Sequence, residues 1–355
     1  PRSMVPAEST GTDNPVHAVP GRVSVVIPNW NTRRFLGPCL HSLREQTFQD
    51  FETVLVDSGS TDDSLSFVAE TFPEVRTIAL GENRGFSGAV NAGIEASEAE
   101  LIVLLNNDTE QDPAWLATLV RAAEAYPKAG SFASKLLDFH DRHILDGAGD
   151  ALRKSGLPYR LGHRERDLGQ FDKPVPVFGA CAAAALYRRE MFDDIGLFDE
   201  DFFAYCEDGD LSFRAQLAGY QCLYVPGAAV YHVGSASTGG KRSPTATRLG
   251  TRNSVCLLVK NLPSALVPSI LPAFLAGQLS RLAVTTLSGV LPAHLKGLAE
   301  ALRLLPKMLR KRRSIQRRRL VPVPRIRKLL NDSSRAARES VRRRVRHTLF
   351  GRRRR

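Results

Sequence analysis

Two stretches of the sequence concentrate side chains that could bind a cation or move a proton. In the first, the apolar run Leu101–Leu105 leads directly into Asn106, Asn107 and Asp108. Such a cluster is typical of a surface turn, but it would also suit a cation site at the point where a central strand leaves its sheet. The rest of the sequence must discriminate between these two interpretations.

The second stretch places Glu207, Asp208 and Asp210 at the start of an amphipathic helical pattern. Carboxylates in the first turn of a helix are stabilised by its dipole, so capping is the simplest interpretation. However, residues 202–205 include three aromatic side chains, and an apolar wall could raise a carboxyl pKa into the range of a general base.

The first hundred residues show an alternation of strand and helix patterns that leads up to the Leu101–Asp108 stretch. Short β-branched runs alternate with helical patterns, and the loops between them are short. The predicted strands cover residues 22–28, 51–57, 75–80 and 100–106. Continuous apolar strands in this order predict a parallel α/β sheet covered by helices on both faces. In such a sheet, ligands bind beyond the carboxyl ends of the strands.

Polar clusters follow all four of these strands. One cluster alone is most simply a turn, but four at one edge of a sheet form a rim of hydrogen-bonding groups that suits a nucleotide. The sequence has no G-x-G-x-x-G fingerprint and no P-loop, so dinucleotide binding and P-loop chemistry are unsupported.

Length and composition set the class of protein. The chain has 355 residues, of which 43% are hydrophobic, enough for one large domain or two. Five scattered cysteines and no recognisable secretory signal predict a reduced, cytosolic protein. Residues 1–20 are polar with Gly and Pro, and we predict that they are disordered.

Charge divides the chain into two parts. Residues 303–355 hold 22 Lys and Arg against two acidic residues, whereas the first 302 residues carry a net charge of −8. Residues 262–309 are apolar with helical spacing, but prolines break them and Arg281 interrupts the longest run. We therefore predict amphipathic helices that lie on a membrane rather than a spanning helix. Arg310–Arg319 and residues 342–355 would face anionic headgroups.

The motifs "PNWN", "VDSGSTDDS", "NRGFSGAVNAGI", "LLNNDT", "GLFDEDFFAYCEDGDLSFRAQLAGY" and "YH" follow one another across about residues 22–260. This series resembles glycosyltransferase family 2, above all its bacterial rhamnosyltransferase-like branch in cell-wall and surface-glycan assembly. The resemblance implies a GT-A fold with a Rossmann-like, mostly parallel central sheet. It also implies a nucleotide-diphosphate sugar (dTDP-rhamnose or a UDP-sugar), Mg²⁺ or Mn²⁺, and inversion at the anomeric carbon.

The resemblance also assigns roles to individual residues. Asp57 would hydrogen-bond the pyrimidine edge of the base, and Asn83, Arg84 and Asn91 would face the ribose or diphosphate. The full nucleotide-sugar-binding set that it implies is Pro28, Asn29, Asn31, Asp57, Ser58, Asn83, Arg84, Gly85, Asn91 and Asn107.

The resemblance makes the cluster at residues 106–108 the metal site and the cluster at residues 207–210 the source of the base. Asn106 replaces the first Asp of the family's D-x-D motif, so Asp108 would bind the cation with diphosphate oxygens, waters and His232. The family's E-D motif falls on Glu207 and Asp208, which makes Asp208 the expected base, with Asp210 as the alternative.

The sequence thus predicts a disordered segment (1–20), a catalytic domain (21–260) and a basic amphipathic region (261–355). The acceptor would be a lipid-linked glycan at the inner face of the plasma membrane. Two other classes remain open: a catalytically silent assembly scaffold, and a nucleic-acid-binding protein that uses the Arg-rich tail. Retention of Asp57, Asp108, Asp208 and His232 argues against the first. Because the tail lacks interleaved aromatic residues, we expect no nucleic acid.

Overall fold

The computed structural model describes residues 22–234 and 243–351, so the predicted segment 1–20 and the last four arginines lie outside the described residues. The strands of this part of the chain are β1 (Val23–Asn29), β2 (Phe51–Asp57), β3 (Arg76–Ala79), β4 (Leu101–Leu105), β5 (Thr109–Gln111), β6 (Ala129–Asp138), β7 (Leu145–Ala148), β8 (Asp150–Leu152), β9 (Pro158–Arg160), β10 (Val175–Val177), β11 (Ala184–Arg188) and β12 (Gln221–His232).

The helices follow the apolar spacings of the sequence; in the first of them, for example, Leu36, Leu40 and Leu43 are buried on one face. They are α1 (Arg33–Arg44), α2 (Ser64–Thr71), α3 (Gly85–Glu95), α4 (Trp115–Ala125), α5 (Arg189–Ile195), α6 (Glu207–Ala218), α7 (Pro244–Asn261), α8 (Val267–Leu287), α9 (Leu291–Arg317) and α10 (Val323–Gly351).

The main sheet runs in the order β10-β12-β6-β11-β4-β1-β2-β3. β3, β2, β1 and β4 are all parallel, as the sequence predicts for this half of the sheet. β11 then runs antiparallel between β4 and β6, and β12 lies parallel to β6. The end of β12 also pairs with β5, which sets His232 opposite Thr109. Because Thr109 follows Asp108 in the chain, this pairing brings His232 close to Asp108.

Helices cover both faces of the sheet. On one face, α1, α2 and α4 pack on the strands through apolar residues such as Leu36, Val68 and Leu119. On the other, α3, α5 and α6 contribute residues such as Ile94 and Phe192. This layering confirms the predicted α/β architecture, because fully apolar parallel strands need cover on both sides.

A third hydrophobic cluster joins the C-terminal helices to the sheet domain. Phe213 of α6 and Leu257 of α7 pack in it with Met308 of α9 and Ile326 of α10. The packing is therefore continuous across the predicted domain boundary at residue 260. α10 also lies along the β8–β9 hairpin.

One helix in the described part of the chain, Ser264–Leu287, is long and apolar enough to cross a membrane by length and composition alone. The sequence analysis rejects a spanning helix here because Arg281 interrupts the apolar run. In the structure, the guanidinium of Arg281 turns inward and donates to the carbonyl of Gly250 and the hydroxyl of Thr251, so this charge does not interrupt the outer face of the helix.

Asp210 anchors α6 from within the protein. Its carboxylate is fully buried and accepts hydrogen bonds from Lys260 (2.7 Å), Arg214 (3.0 Å) and Asn261 (2.7 Å). Burial alone would raise the pKa of Asp210, but Lys260 and Arg214 hold that pKa below its usual range. Its role as the alternative base is therefore wrong: a carboxylate that is inaccessible and bound by two cations cannot take a proton from an acceptor.

We expect Asp210→Ala to lower the free energy of unfolding by about 3–5 kcal/mol, because it leaves Arg214 buried without its carboxylate partner. Denaturant titration measures this loss. Asp193→Ala, at an exposed position of α5, is the control and should stay within about 0.5 kcal/mol of the parent protein. An unchanged unfolding midpoint for Asp210→Ala would contradict the anchoring role.

Candidate functional site

Three polar side chains meet where β1, β2 and β4 end. Asn29 donates to the carboxylate of Asp57 (2.8 Å), and Asn107 donates to the side-chain oxygen of Asn29 (2.7 Å) and to the hydroxyl of Thr32 (2.5 Å). All four side chains are buried. Three of the four predicted polar clusters therefore form one connected network at the carboxyl edge of the sheet, as the parallel arrangement requires.

The loop after β2 holds the other side of this network. Ser60 donates its backbone N–H (2.8 Å) and its hydroxyl (2.6 Å) to Asp57. Asn31 adopts a left-handed conformation (φ 51°), and its side-chain oxygen accepts from the backbone of Thr61 (2.8 Å). The hydroxyl of Ser58 is buried without a hydrogen-bond partner among the described residues. This unmatched group lies next to Asp57 in the chain, at the predicted base-binding end.

The residues after β3 form a turn that opens α3. The side chain of Asn83 caps the N–H of Gly85 (2.9 Å), and Arg84 pairs with both carboxylate oxygens of Glu200 at 3.0 Å. Gly85 has a φ of +69°, and a Cβ atom there would lie 2.6 Å from the ring of Phe203. This close approach explains why glycine is required at this position.

Asn91 lies next to the Arg84–Glu200 pair, because its amide nitrogen is 3.3 Å from the same oxygen of Glu200 that Arg84 contacts. Its amide donates to the carbonyl of Phe198 (2.9 Å), and its oxygen accepts the N–H of the same residue (3.0 Å). Both hydrogen-bonding ends of this buried side chain are thus used to fasten the segment before α6 to α3. The predicted contact of Asn91 with ribose or diphosphate stays a prediction.

Asp108 and His232 meet at the end of β12, as predicted. The Nε2 atom of His232 lies 3.4 Å from the carboxylate of Asp108, whose other oxygen accepts the N–H of Gly234 (3.0 Å). The Nδ1 atom of His232 lies 2.8 Å from the carboxylate of Asp146. Burial alone would lower the pKa of His232, but the two carboxylates raise it above its usual value.

Asp146 connects this pair to a second set of residues. Its carboxylate accepts from Arg160 and lies 3.1 Å from Nδ1 of His163. Arg160 also donates to the sulfur of Cys181 (2.7 Å). Burial would raise the pKa of Asp146, but the charge of Arg160 and the histidines hold it well below its usual range. The sequence analysis names neither Asp146 nor Arg160, because no local motif marks them.

The expected base lies on the far side of Arg160. Ligand atoms of Asp150, Cys181 and Asp208 lie within 4.8 Å of one another. Burial raises the pKa of Asp208, while the charge of Arg160 opposes the rise. Burial and the adjacent Asp208 also raise the pKa of Glu207. Asp208 therefore has the properties expected of a base: partial exposure and a raised pKa.

A strained turn presents Asp208. Phe203, Tyr205 and Cys206 all have positive φ angles, of 64°, 70° and 66°. Such angles cost non-glycine residues free energy, so they persist only where the surroundings hold them. Asn253 of α7 does this here: its amide lies 2.6–2.9 Å from the carbonyls of Phe202, Ala204 and Tyr205. The sequence analysis misses Asn253, which lies far from this turn in the chain.

Comparisons with known proteins identify the family and the fold of this chain. A family model described as Glycosyl transferase family 2 matches residues 24–196. The N-acetylglucosaminyl-diphospho-decaprenol L-rhamnosyltransferase of Mycobacterium tuberculosis is 30% identical over an alignment of 237 residues that covers 60% of this chain and 75% of that protein. The PGL/p-HBAD biosynthesis glycosyltransferase of Mycobacterium bovis is 29% identical over 262 residues, 68% of this chain and 91% of that protein.

Two solved structures share the fold. Residues 1–349 of S. aureus TarS in complex with UDP align with a TM-score of 0.55 at 18% identity, covering 90% of this chain and 91% of that one. The mannosyltransferase PcManGT from Pyrobaculum calidifontis, in complex with GDP-Man and Mn²⁺, aligns with a TM-score of 0.51 at 20% identity over 85% of each chain. These likenesses confirm the predicted GT-A fold.

We expect Asn253→Ala to release the turn at residues 203–206, because it removes the amide that holds three carbonyl groups. The free energy of unfolding should fall by about 1–3 kcal/mol. Hydrogen–deuterium exchange of residues 203–210 should rise in the folded protein. Asn91→Ala is a matched control, since it also removes a buried amide but one bound to Phe198. Equal exchange of residues 203–210 in the two variants would show that Asn253 does not specifically stabilise the turn.

Proposed function

Because the chain belongs to glycosyltransferase family 2, we propose that it is an inverting hexosyltransferase that depends on a divalent cation. It moves a sugar, with rhamnose favoured, from a nucleotide-diphosphate sugar to a hydroxyl of a lipid-linked or polysaccharide acceptor. The product belongs to cell-wall or surface-glycan assembly. One observation carries the proposal: Asp146 binds both His232 and Arg160, and Arg160 donates to Cys181, whose sulfur lies within 4.8 Å of the carboxylate of Asp208.

The amide network at the strand ends is the proposed site for the nucleotide. Asp57 would accept from the pyrimidine edge, with Asn29 and Ser58 beside it, while Arg84 would exchange its pairing with Glu200 for the diphosphate. A pyrimidine nucleotide (dTDP-rhamnose or a UDP-sugar) is the proposed substrate. The name of the mycobacterial rhamnosyltransferase and the UDP bound to TarS support this choice.

The side chains of Asp108 and His232 fit a divalent cation. The carboxylate oxygen of Asp108 and the Nε2 atom of His232 lie 3.4 Å apart, so both could bind one cation. Asp146 accepts a hydrogen bond from Nδ1–H of His232, and this tautomer leaves the lone pair of Nε2 available to the cation. The carboxylate oxygen is a ligand that suits both Mg²⁺ and Mn²⁺. When bound, the cation would neutralise charge on the leaving diphosphate. The Mn²⁺ in the PcManGT structure supports this assignment.

Side chains of the protein would accept the proton of the acceptor hydroxyl and orient the acceptor for the displacement. The acceptor oxygen bonds to the anomeric carbon on the face opposite the diphosphate, and Asp208 takes the proton of that hydroxyl. The bond from the anomeric carbon to the diphosphate oxygen breaks, and its electron pair leaves with the nucleotide. The charge of Arg160 opposes the rise in the pKa of Asp208 and so favours the ionised form that can accept the proton.

The acceptor would be presented at a membrane. A lipid-linked glycan is the acceptor class named for the mycobacterial relative, and the basic C-terminal region suits the anionic inner face of the plasma membrane. We therefore propose a cytoplasmic enzyme that is peripheral on that face. Nucleic acid is not a proposed partner.

We expect Asp108→Ala to weaken the binding of UDP or dTDP in the presence of Mn²⁺ by about tenfold or more, because the carboxylate ligand of the cation is lost. Calorimetry with and without Mn²⁺ measures the effect, and EDTA should weaken binding to the parent protein to a similar degree. Asp193→Ala serves as the control. Equal affinity in EDTA and in Mn²⁺ would overturn the proposed cation dependence.

We expect Asp208→Asn to lower kcat by about 100- to 10,000-fold with little change in nucleotide affinity, because a base acts on the acceptor in the transition state. Asp210→Asn should instead lower the melting temperature. A raised pKa adds a second signature: kcat/KM of the parent should fall as pH decreases through a value above the ordinary range of about 4 for Asp, since the base must be deprotonated. An active Asp208→Asn enzyme would show that another group is the base.

A further inference from the structure

The outer surface of α8 is apolar and carries no charge. Leu275, Leu279 and Leu287 are 51%, 67% and 88% exposed. Arg281 is the one charged residue of the helix, and its side chain turns inward to α7. Exposed surface of this kind on a helix of 21 residues is unfavourable in water and indicates a covering partner.

α9 carries a narrower apolar stripe with a row of cations beside it. Its exposed positions include residues 295, 299, 302, 306 and 309, which repeat every three or four residues and are all apolar. Lys296, Arg303 and Arg310 are also exposed, and their spacing of seven places them in a row along one side of the stripe. The buried residues His294, Ala301 and Met308 lie on the opposite face.

The inner faces of both helices are fastened to the same point of the catalytic domain. Arg281 of α8 donates to the hydroxyl of Thr251 (3.1 Å), and His294 of α9 lies 3.1 Å from that hydroxyl. Gly277 packs so closely on the domain that a Cβ atom would lie 2.5 Å from Ser155. An α8 that crossed a bilayer would have to break these contacts and carry Arg281 into hydrocarbon.

We infer that the outer faces of α8 and α9 form a monotopic docking surface, immersed in one leaflet of an anionic bilayer. α8 lies in the plane of that leaflet and does not cross it. This inference rests on the proposed function only for its consequence, the delivery of a lipid-linked acceptor. An amphipathic helix with an apolar face and flanking cations binds anionic interfaces by shallow insertion plus electrostatic attraction.

A bilayer matches this surface better than a second copy of the chain. Two copies facing each other would bring like rows of cations together, whereas anionic headgroups complement them. The surface also adjoins the acceptor side of the site. Ser155, which contacts Gly277, lies between β8 and β9, and these strands carry Asp150 and Arg160. A lipid-linked acceptor would therefore approach Asp208 from the membrane side.

Flotation with vesicles of equal parts phosphatidylcholine and phosphatidylglycerol tests the surface, using the full chain. The parent protein should float with these vesicles and much less with pure phosphatidylcholine. Leu275→Asp combined with Leu279→Asp should abolish flotation. Replacing Lys296, Arg303 and Arg310 by Ser should remove the preference for phosphatidylglycerol at low salt.

Matched controls separate the surface from bulk hydrophobicity and charge. Leu168→Asp changes a leucine that is 61% exposed and lies outside α8 and α9. The combined variant Arg121→Ser, Lys128→Ser and Lys173→Ser removes three exposed cations, the same number as in the α9 variant. Both controls should float like the parent. If they fail equally, or if the parent protein stays unbound, the inference is wrong. Light scattering tests the alternative that a second copy covers the surface. A dimer of the parent protein that dissociates in the Leu275→Asp, Leu279→Asp variant would support that alternative.

Cysteine labelling tests the in-plane orientation. Ser264→Cys and Ser288→Cys place thiols at exposed positions on either side of α8. A membrane-impermeant maleimide added outside the vesicles should label both, over the background of the native cysteines. Protection of one of them until detergent is added would show that α8 spans the bilayer. Calorimetric nucleotide binding by every variant keeps these outcomes distinct from failure of the proposed chemistry.

Discussion

The buried carboxylate of Asp146 is the interaction on which the site depends. It holds His232 through Nδ1 and Arg160 through its guanidinium, so one negative charge orients a group on each side. In a buried position such a charge is stable only with cationic or hydrogen-bonding partners, and these partners hold its pKa far below the usual range. Losing this carboxylate would leave the half-buried guanidinium of Arg160 without this counterion. The proposed cation site and the proposed base are therefore coupled through the charges of Asp146 and Arg160.

The two halves of the sheet supply this unit in different ways. In the parallel half, strand ends alone bring Asn29, Asp57 and Asn107 together. In the mixed half, Asp146, Asp150 and Arg160 stand on strands of three or four residues, which need support from outside the sheet. α10 provides it: the hydroxyls of Ser333 and Ser334 accept the backbone N–H groups of Leu152 (2.7 Å) and Lys154 (2.9 Å).

α10 thus satisfies backbone donors at the edge of the β8–β9 hairpin that would otherwise be left unpaired. Glu165 strengthens the attachment, since it accepts from Arg343 of α10 (2.8 Å) and from Ser340. The basic C-terminal region is therefore part of what holds Arg160 in place. Its charge has a structural use as well as the proposed use at a membrane.

The sequence predicts the parallel half well because its signals are local. An apolar run followed by polar residues identifies both a strand and its carboxyl end, and the alternation with helices sets the edge at which those ends meet. Asp146, Arg160 and Asn253 escape prediction because their roles arise from pairings between distant segments. Asp210 misleads for the opposite reason: its motif position suggests chemistry, but its carboxylate is buried and fully used by internal hydrogen bonds and ion pairs.

The same limit applies to α8. A hydropathy argument counts Arg281 against a membrane helix, but a residue count cannot tell which face of the helix a charge occupies. Once Arg281 is bound to Gly250 and Thr251, the remaining surface of α8 is uncharged.

Ion pairs attach the next helix to the same region, because Lys311 of α9 binds Asp199 (2.5 Å) and Asp201 (2.6 Å), a few residues before the strained turn. Asp199 also pairs with Lys260, which holds Asp210. α9 is thus connected through these ion pairs to the helix that carries Asp208. The proposed docking surface and the proposed base are therefore joined by one set of ion pairs.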